Sequence, residues 1–126
     1  MNEAEKRKCV LVVDDHPKVL TFIEIDLKLH GFEVICTSSG QEALELVSSA
    51  KPDIMLLDMI MPVMDGFEVL RKLRAVSELP VIAISAHTSA AEEALSLGAN
   101  DFLAKPFRPD ELVNKIKALL HHRAGR

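Results

Sequence analysis

Short, wholly apolar runs alternate along the chain with longer amphipathic segments. The runs are apolar at successive positions, as in Val10–Val13, so they fit strands that are buried on both faces and covered by helices on each side. Five runs predict strands, the last being the weakest: Cys9–Val13, Glu33–Thr37, Ile54–Leu57, Val81–Ser85 and Asp101–Ala104.

The segments between the runs carry apolar residues at helical spacing. In the first three helices these positions are Leu20, Ile23 and Leu27, then Ala43, Leu44 and Val47, then Phe67, Leu70 and Leu73. The last helix has a broad apolar stripe over Leu112–Leu120, and Pro109 suits its first turn. The fourth, Ser89–Leu97, offers mostly alanines with Leu95 and Leu97, so we expect it to be loosely held. Strict alternation of strands and helices predicts a parallel sheet in a three-layer α/β sandwich.

Composition and charge limit the classes of protein to which the chain can belong. The 126 residues are 48% hydrophobic and 27% charged, which predicts a single domain over 1–126 with its core at about 8–120. A net charge of −4 without a block of lysines or arginines argues against direct nucleic-acid binding. No apolar run is long enough to span a membrane and no signal peptide is visible, so we expect a cytoplasmic protein without membrane association. Cys9 and Cys36 lack metal-ligand spacing and are expected to be buried, reduced thiols.

Charged and hydroxyl side chains stand where the predicted strands end. Asp14 and Asp15 follow the first strand, Asp58 follows the third, Ser85 ends the fourth and Lys105 follows the fifth. In an open parallel sheet these ends border the functional crevice. Three converging carboxylates would repel one another without a cation, and oxygen ligands favour Mg²⁺. Asp58 is the best candidate nucleophile, because a carboxylate that attacks phosphorus forms an acyl phosphate.

Four motifs, in order and at the expected separations, closely resemble the receiver domains of two-component response regulators. They are VVDDHP over 12–17, PDIMLLDMIMPVMDG over 52–66, SA over 85–86 and GANDFLAKPF over 98–107. The resemblance covers about Lys8–Leu120. It implies a flavodoxin-like, doubly wound (βα)5 fold with strand order 2-1-3-4-5. It also implies a sensor histidine kinase or a phosphotransfer protein as phosphodonor and a downstream effector protein or domain as target.

The same resemblance assigns roles at the strand ends. Asp58 is the implied phosphoacceptor. Asp14, Asp15 and Asp58, with the Ile60 backbone carbonyl, would bind Mg²⁺, directly or through water. Ser85 and Lys105 would contact the phosphoryl oxygens. On this interpretation the chain is not an enzyme in the ordinary sense, since it catalyses only its own phosphorylation and dephosphorylation.

The resemblance further implies a cis peptide bond between Lys105 and Pro106 and a switch. In the family, the ring at the position of Phe102 turns inward when the Ser85 hydroxyl moves toward the phosphoryl group. This remodels the face of the fourth helix, fifth strand and fifth helix, and that face is a candidate for phosphorylation-dependent homodimerisation. Ile60 and His87 occupy positions that modulate the lifetime of the phosphorylated state. We expect His87 to influence hydrolysis, and an unchanged dephosphorylation rate in His87→Ala would dispose of that role.

Three alternative functions fit these residues less well. A haloacid-dehalogenase-like phosphatase needs a second aspartate two residues after the nucleophile, where this chain has Ile60. A flavin-binding module would place a phosphate in the loop over Asp14–Pro17, which would repel it. The complete set of site residues argues against a degenerate receiver that serves only as a scaffold. The sequence leaves open a stand-alone regulator or a receiver from a longer regulator or hybrid kinase.

Three flanking polar residues are expected to have ordinary roles. His16 lies beside the acidic pair and could touch the cleft, but it is predicted to be a solvent-facing histidine of the first helical turn. Asp53 is predicted to serve strand entry, and Asp65 to cap the third helix.

Overall fold

Five strands and five helices alternate along the chain in a computed structural model that describes residues 7–124. The two ends of the predicted 1–126 domain therefore lie outside the described residues. The elements are β1 (Cys9–Val13), α1 (Pro17–Leu29), β2 (Glu33–Thr37), α2 (Gly40–Ala50), β3 (Ile54–Asp58), α3 (Gly66–Arg74), β4 (Val81–Ser85), α4 (Ala90–Ser96), β5 (Asp101–Ala104) and α5 (Pro109–Ala124). The predicted strands are confirmed, and β3 extends one residue further than predicted, to Asp58.

All strand pairs are parallel, and the order in the sheet is β2-β1-β3-β4-β5. This is the predicted doubly wound, flavodoxin-like (βα)5 arrangement. Strand β3 lies in the centre and all of its residues are buried. Its last residue, Asp58, pairs in register with Ile84 of β4, so the carboxylate stands at the middle of the sheet's carboxyl edge.

A hydrophobic core lies on each face of the sheet, as the two-sided apolar runs predict. Alternate strand residues point to opposite faces, so Leu11 packs in one core and Val12 in the other. The first core is completed by residues of α2, α3 and α4, including Ala43, Leu70 and Ala94. The second is completed by residues of α1 and α5, chiefly Ile23, Leu27, Leu112, Val113 and Ile116. The three-layer sandwich follows directly from this division.

Helix α4 is held by its small residues. Ala90 and Ala94 are buried, whereas Leu95 is 46% exposed and Leu97 is partly buried against the first core. An alanine face lets the helix backbone approach the sheet closely, so one of the two leucines is not needed for packing. None of the helices over residues 7–124 is long and apolar enough to cross a membrane.

The prediction that both cysteines are buried, reduced thiols is right about the thiols and wrong about full burial. Cys9 and Cys36 are free thiols on β1 and β2 that are only partly buried, because β2 is an edge strand and Cys9 begins its own strand. Burial is the main cause that raises the pKa of both thiols, and nearby carboxylates add to it. Both side chains therefore remain protonated and weakly nucleophilic at neutral pH.

Val63, in the loop between β3 and α3, has a left-handed backbone with φ of 65° and a fully exposed side chain. A β-branched residue in this region costs about 1–2 kcal/mol relative to a residue that tolerates it. We therefore expect Val63→Asn to increase the free energy of unfolding by about 1 kcal/mol. Urea denaturation followed by circular dichroism would measure the change. Val76→Asn, at another exposed valine without positive φ, is the matched control, and an equal effect in both variants would contradict the explanation.

Candidate functional site

Backbone hydrogen bonds continue the parallel ladder one step beyond the ends of the strands. The Asp14 N–H donates to the Thr37 carbonyl at 3.1 Å, and the Met59 N–H donates to the Ile84 carbonyl at 2.9 Å. The Lys105 N–H donates to the carbonyl of Ser85, also at 2.9 Å. Two of the predicted site residues, Asp14 and Lys105, are thus anchored to a neighbouring strand through their own backbone, and Asp58 is anchored within β3.

A carboxylate–lysine ion pair crosses this edge of the sheet. Lys105 Nζ lies 2.8 Å from Asp14 Oδ2 and 3.5 Å from Asp58 Oδ2. Asp14 also accepts the backbone N–H of His16 at Oδ1, at 2.9 Å. Burial alone would raise the pKa of Asp14, but the hydrogen bonds from Lys105 and His16 outweigh it and hold that pKa below its usual value. The Asp14 carboxylate is therefore ionised at neutral pH and supplies a negative charge to the site.

Asp58 is only 3% exposed, and one of its oxygens is unsatisfied. Oδ1 accepts the Ile60 backbone N–H at 3.2 Å, whereas Oδ2 has no hydrogen-bond partner within the described residues. Burial, followed by the negative charge of Asp14, raises the pKa of Asp58 to about 6. A buried carboxylate oxygen without a donor is costly, and such a group is retained where a ligand satisfies it.

The carboxylates fit a divalent cation. One ligand atom from each of Asp14, Asp15, His16 and Asp58 can be chosen so that all lie within 4.8 Å of one another. Asp15 Oδ1, like Asp58 Oδ2, is buried and lacks a hydrogen-bond partner in residues 7–124. Two orphaned carboxylate oxygens that face one cluster are what a hard cation would coordinate, so this acidic cluster could hold a metal ion.

An open cavity of about 400 Å³ gives access to Asp58. It is lined by His16, Val19, Asp58, Ile60, Ala86, His87 and Lys105. The placement of His87 in this lining agrees with the expectation that it lies near the site. For His16 the prediction is right about solvent exposure, since its side chain is 60% exposed, but wrong about the cleft: Nδ1 lies 2.9 Å from Asp14 Oδ1 and 3.3 Å from Asp15 Oδ1. His16 therefore belongs to the cleft, and it precedes helix α1 instead of lying within its first turn.

Neither Ser85 nor Phe102 lines this cavity. Ser85 is fully buried at the end of β4, where its Oγ accepts the His87 backbone N–H at 2.9 Å. Phe102 is partly buried on β5 and packs against the core beneath α2, α3 and α4. The bond between Lys105 and Pro106 is cis. Contact of Ser85 with a phosphoryl oxygen, and rotation of Phe102, remain predictions.

The two polar residues with expected structural roles have them. The Asp53 side chain accepts the Cys9 N–H at 2.7 Å, joining the entry of β3 to the start of β1. The Asp65 side chain accepts the Glu68 N–H at 3.0 Å and caps α3.

Sequence reasoning missed the contacts of Arg74, which joins the end of α3 to the turn before β5. Its Nε donates to the Gly98 carbonyl at 3.1 Å, and a terminal nitrogen donates to Asn100 Oδ1 at the same distance. Asn100 Oδ1 also accepts the Val81 N–H at 2.8 Å, so this tie reaches the start of β4. A basic residue in a last helical turn is an ordinary helix feature, and no local signal distinguishes this one.

The fold and the site together define a receiver. Residues 10–117 match the response regulator receiver domain family, and the chain belongs to that family. It is similar over nearly its whole length to solved receivers of two-component systems. The receiver domain of Francisella response regulator 1452 is 34% identical, with a TM-score of 0.87, over 93% of this chain and 99% of that one.

Two further solved structures extend the comparison. The chemotaxis protein CheY4 of Vibrio cholerae is 30% identical, with a TM-score of 0.84, over 90% of this chain and 98% of its own. The BeF3-activated N-terminal receiver domain of Klebsiella pneumoniae RstA is 29% identical, with a TM-score of 0.85, over 90% and 98% of the two chains. The chain is therefore a receiver domain of the two-component response regulator type.

Proposed function

We propose that Asp58 accepts a phosphoryl group from a histidine kinase or phosphotransfer protein. The observation that carries this proposal is the unsatisfied, buried Asp58 Oδ2, which borders the open cavity and lies 3.5 Å from Lys105 Nζ. A carboxylate at this position has a free lone pair for attack and a cation beside it. Neither Asp14 nor Asp15 combines these properties with a place in the cavity lining.

The transfer exchanges one bond to phosphorus for another. An Asp58 oxygen attacks the phosphorus of a phosphohistidine, the P–N bond breaks, and its electron pair returns to the imidazole nitrogen of the donor. The product is an acyl phosphate on Asp58, and later attack by water on phosphorus releases inorganic phosphate and restores the carboxylate. Only the ionised carboxylate attacks, so the positive charge of Lys105 favours the reactive form.

Asp14, Asp15 and Asp58, with the Ile60 backbone carbonyl, would hold a Mg²⁺ ion. When bound, Mg²⁺ neutralises the carboxylates and the charge that develops on the phosphoryl oxygens. Lys105 would exchange its contact with Asp14 for a phosphoryl oxygen, which it can reach from a backbone that is already anchored. The Ser85 hydroxyl would donate to a second phosphoryl oxygen, since its hydrogen is free while Oγ accepts from His87.

Movement of Ser85 toward the phosphoryl group would open space for the Phe102 ring, which already packs partly inward. The altered face would comprise α4, β5 and α5, and an effector protein or domain, or a second copy of the chain, would bind there. This is a population shift between two packings biased by a charge at Asp58. We place this activity in the cytoplasm, where the phosphodonor would be available.

Intact-mass measurement after incubation with acetyl phosphate and Mg²⁺ tests the proposal. We expect wild type to gain one phosphoryl group, and we expect Asp58→Asn and chelator-treated wild type to gain none. Asp65→Asn is the matched control, because Asn serves the helix cap equally well and that variant should be phosphorylated normally. Absence of a gain in wild type, with Mg²⁺ binding confirmed and a kinase supplied, would replace the proposal with a scaffold role.

A further inference from the structure

His16 occupies an unusual position at the start of α1. It is the N-cap residue of the helix, with an extended backbone at φ −96° and ψ 109°, yet its side chain makes no hydrogen bond to the helix that follows. The ring is directed back toward the preceding acidic pair instead. Nδ1 lies 2.9 Å from an oxygen of Asp14, 3.3 Å from one of Asp15 and 3.9 Å from Oδ2 of Asp58.

The two shorter separations match donor atoms that share one metal ion, and the shorter of them is also a hydrogen bond between the ring nitrogen and Asp14. Ligand atoms placed about 2.0–2.2 Å from a transition ion lie about 3–3.5 Å apart when they are neighbours in its coordination shell. A second observation also indicates a ligand, because Asp58 Oδ2 is buried and has no hydrogen-bond partner in the described part of the chain. An imidazole nitrogen thus adds to a group in which one oxygen of Asp15 and one of Asp58 lack hydrogen-bond partners within the described residues.

Lys105 does not occupy the side of the Asp14 carboxylate that His16 approaches. It contacts Oδ2 of Asp14, whereas Nδ1 of His16 contacts Oδ1 of the same carboxylate. The two side chains therefore approach Asp14 from different oxygens. Coordination through Nδ1 does not require Lys105 to move away.

We propose that His16 is a nitrogen ligand of the cation site, which therefore binds Co²⁺, Ni²⁺ and Zn²⁺ more tightly than Mg²⁺. The inference rests on the cation site of the proposed function and deepens it. Imidazole nitrogen is a preferred ligand of these ions, and affinity rises along the first-row series toward Cu²⁺. Mg²⁺ prefers oxygen and water, so His16 adds little to its binding. Transition ions would thus compete with Mg²⁺ at Asp58.

Titration calorimetry of the full chain, stripped with chelator and carrying no polyhistidine tag, tests the assignment with Co²⁺ and Mg²⁺ as separate probes. We expect His16→Ala to weaken Co²⁺ binding about tenfold or more, since even supporting residues around a metal alter affinity by 10–100-fold. Mg²⁺ affinity should change by less than about twofold, because oxygen and water dominate its shell. The visible absorption of bound Co²⁺ should also change in this variant.

Two matched variants test whether the effect is specific to His16. His30→Ala removes a histidine from the other end of α1, where Nδ1 bonds the Asp26 carbonyl, and should leave both affinities unchanged. His87→Ala removes the other histidine of the same cavity and should likewise keep Co²⁺ affinity.

Three results would overturn the assignment. The first is unchanged Co²⁺ affinity in His16→Ala. The second is an equal loss for Co²⁺ and Mg²⁺, which would mean that His16 only orients the carboxylates. The third is tighter binding of both ions, which would mean that the ring only obstructs the site. Failure of wild type to bind either ion would overturn the cation site itself, and with it the proposed function.

Discussion

Replacement of Asp58 by asparagine is expected to stabilise the metal-free protein by about 1–3 kcal/mol at pH 7. Burial and the charge of Asp14 raise the pKa of this carboxyl from 3.8 to about 6, so folding opposes its ionisation. The folded state has this penalty in full above pH 6 and loses it as the pH falls toward 4. Asparagine has the same shape and still accepts the Ile60 N–H, but it carries no charge. Urea unfolding in chelator, followed by circular dichroism because the chain has no tryptophan or tyrosine, would measure the gain.

The pH and Mg²⁺ dependence identify the cause of that stabilisation. The difference between Asp58→Asn and wild type should shrink as the pH falls from 6 toward 4, because the folded wild-type carboxyl becomes protonated over that range. The stability difference should also shrink in excess Mg²⁺. A ligand that binds only the folded wild type stabilises it by about 2.7 kcal/mol when the ligand concentration is a hundred times the Kd. Asp65→Asn, an exposed aspartate, should show neither effect. A stability difference that is constant with pH would contradict the electrostatic explanation.

Gly66→Ala is expected to have the opposite effect on stability to Asp58→Asn and to destabilise the protein by about 3 kcal/mol. Gly66 begins α3 and packs directly under the end of β3. A Cβ atom there would lie 2.5 Å from Met59 Cα and 2.6 Å from the Asp58 carbonyl oxygen, and both are backbone atoms that cannot rotate away. The helix and strand would have to separate. Because the strand carries the proposed acceptor, phosphoryl uptake from acetyl phosphate should fall together with stability.

Gly31→Ala is the control for the general cost of replacing a glycine. Gly31 has φ of 91° but no atom within 4 Å of the added Cβ, so alanine there introduces backbone strain without a clash. We expect a loss of about 1–2 kcal/mol from that strain and normal phosphoryl uptake. Chemical denaturation of both variants under identical conditions would decide the matter. Equal losses in the free energy of unfolding would show that α3 and β3 can move apart at little cost to make room for the added methyl group.

The strands could be predicted from the sequence because both of their faces are buried. A residue such as Leu56 or Leu57 must be apolar whichever core it enters, so the strands appear as continuous runs. The order of the strands cannot be obtained from periodicity. It followed here from the resemblance, whose motifs place Asp14, Asp58 and Lys105 at strand ends that only the fold brings together.

The features that the sequence did not predict arise mainly where distant residues hold a local conformation. The direction of the His16 ring depends on Asp14, whose carboxylate is in turn held by Lys105, ninety-one residues away in sequence. Val63 has positive φ although valine disfavours it, and no neighbouring glycine marks the turn. Arg74 is engaged by Gly98 and Asn100, which follow it by more than twenty residues. Local patterns do not encode such constraints.

The hydrogen bonds that continue the ladder past β1, β3 and β5 also affect how the site meets its ligands. Fixing the backbone of a residue costs about 1–2 kcal/mol of conformational entropy. For Asp14, Met59 and Lys105 this cost is already met when the sheet folds, through their amides on neighbouring strands. Arrival of a cation or a phosphoryl group therefore leaves mainly side-chain torsions to be ordered. The receiver is preorganised on its sheet edge, and the proposed switch would then fall to the exposed segment after β4, residues 86–89.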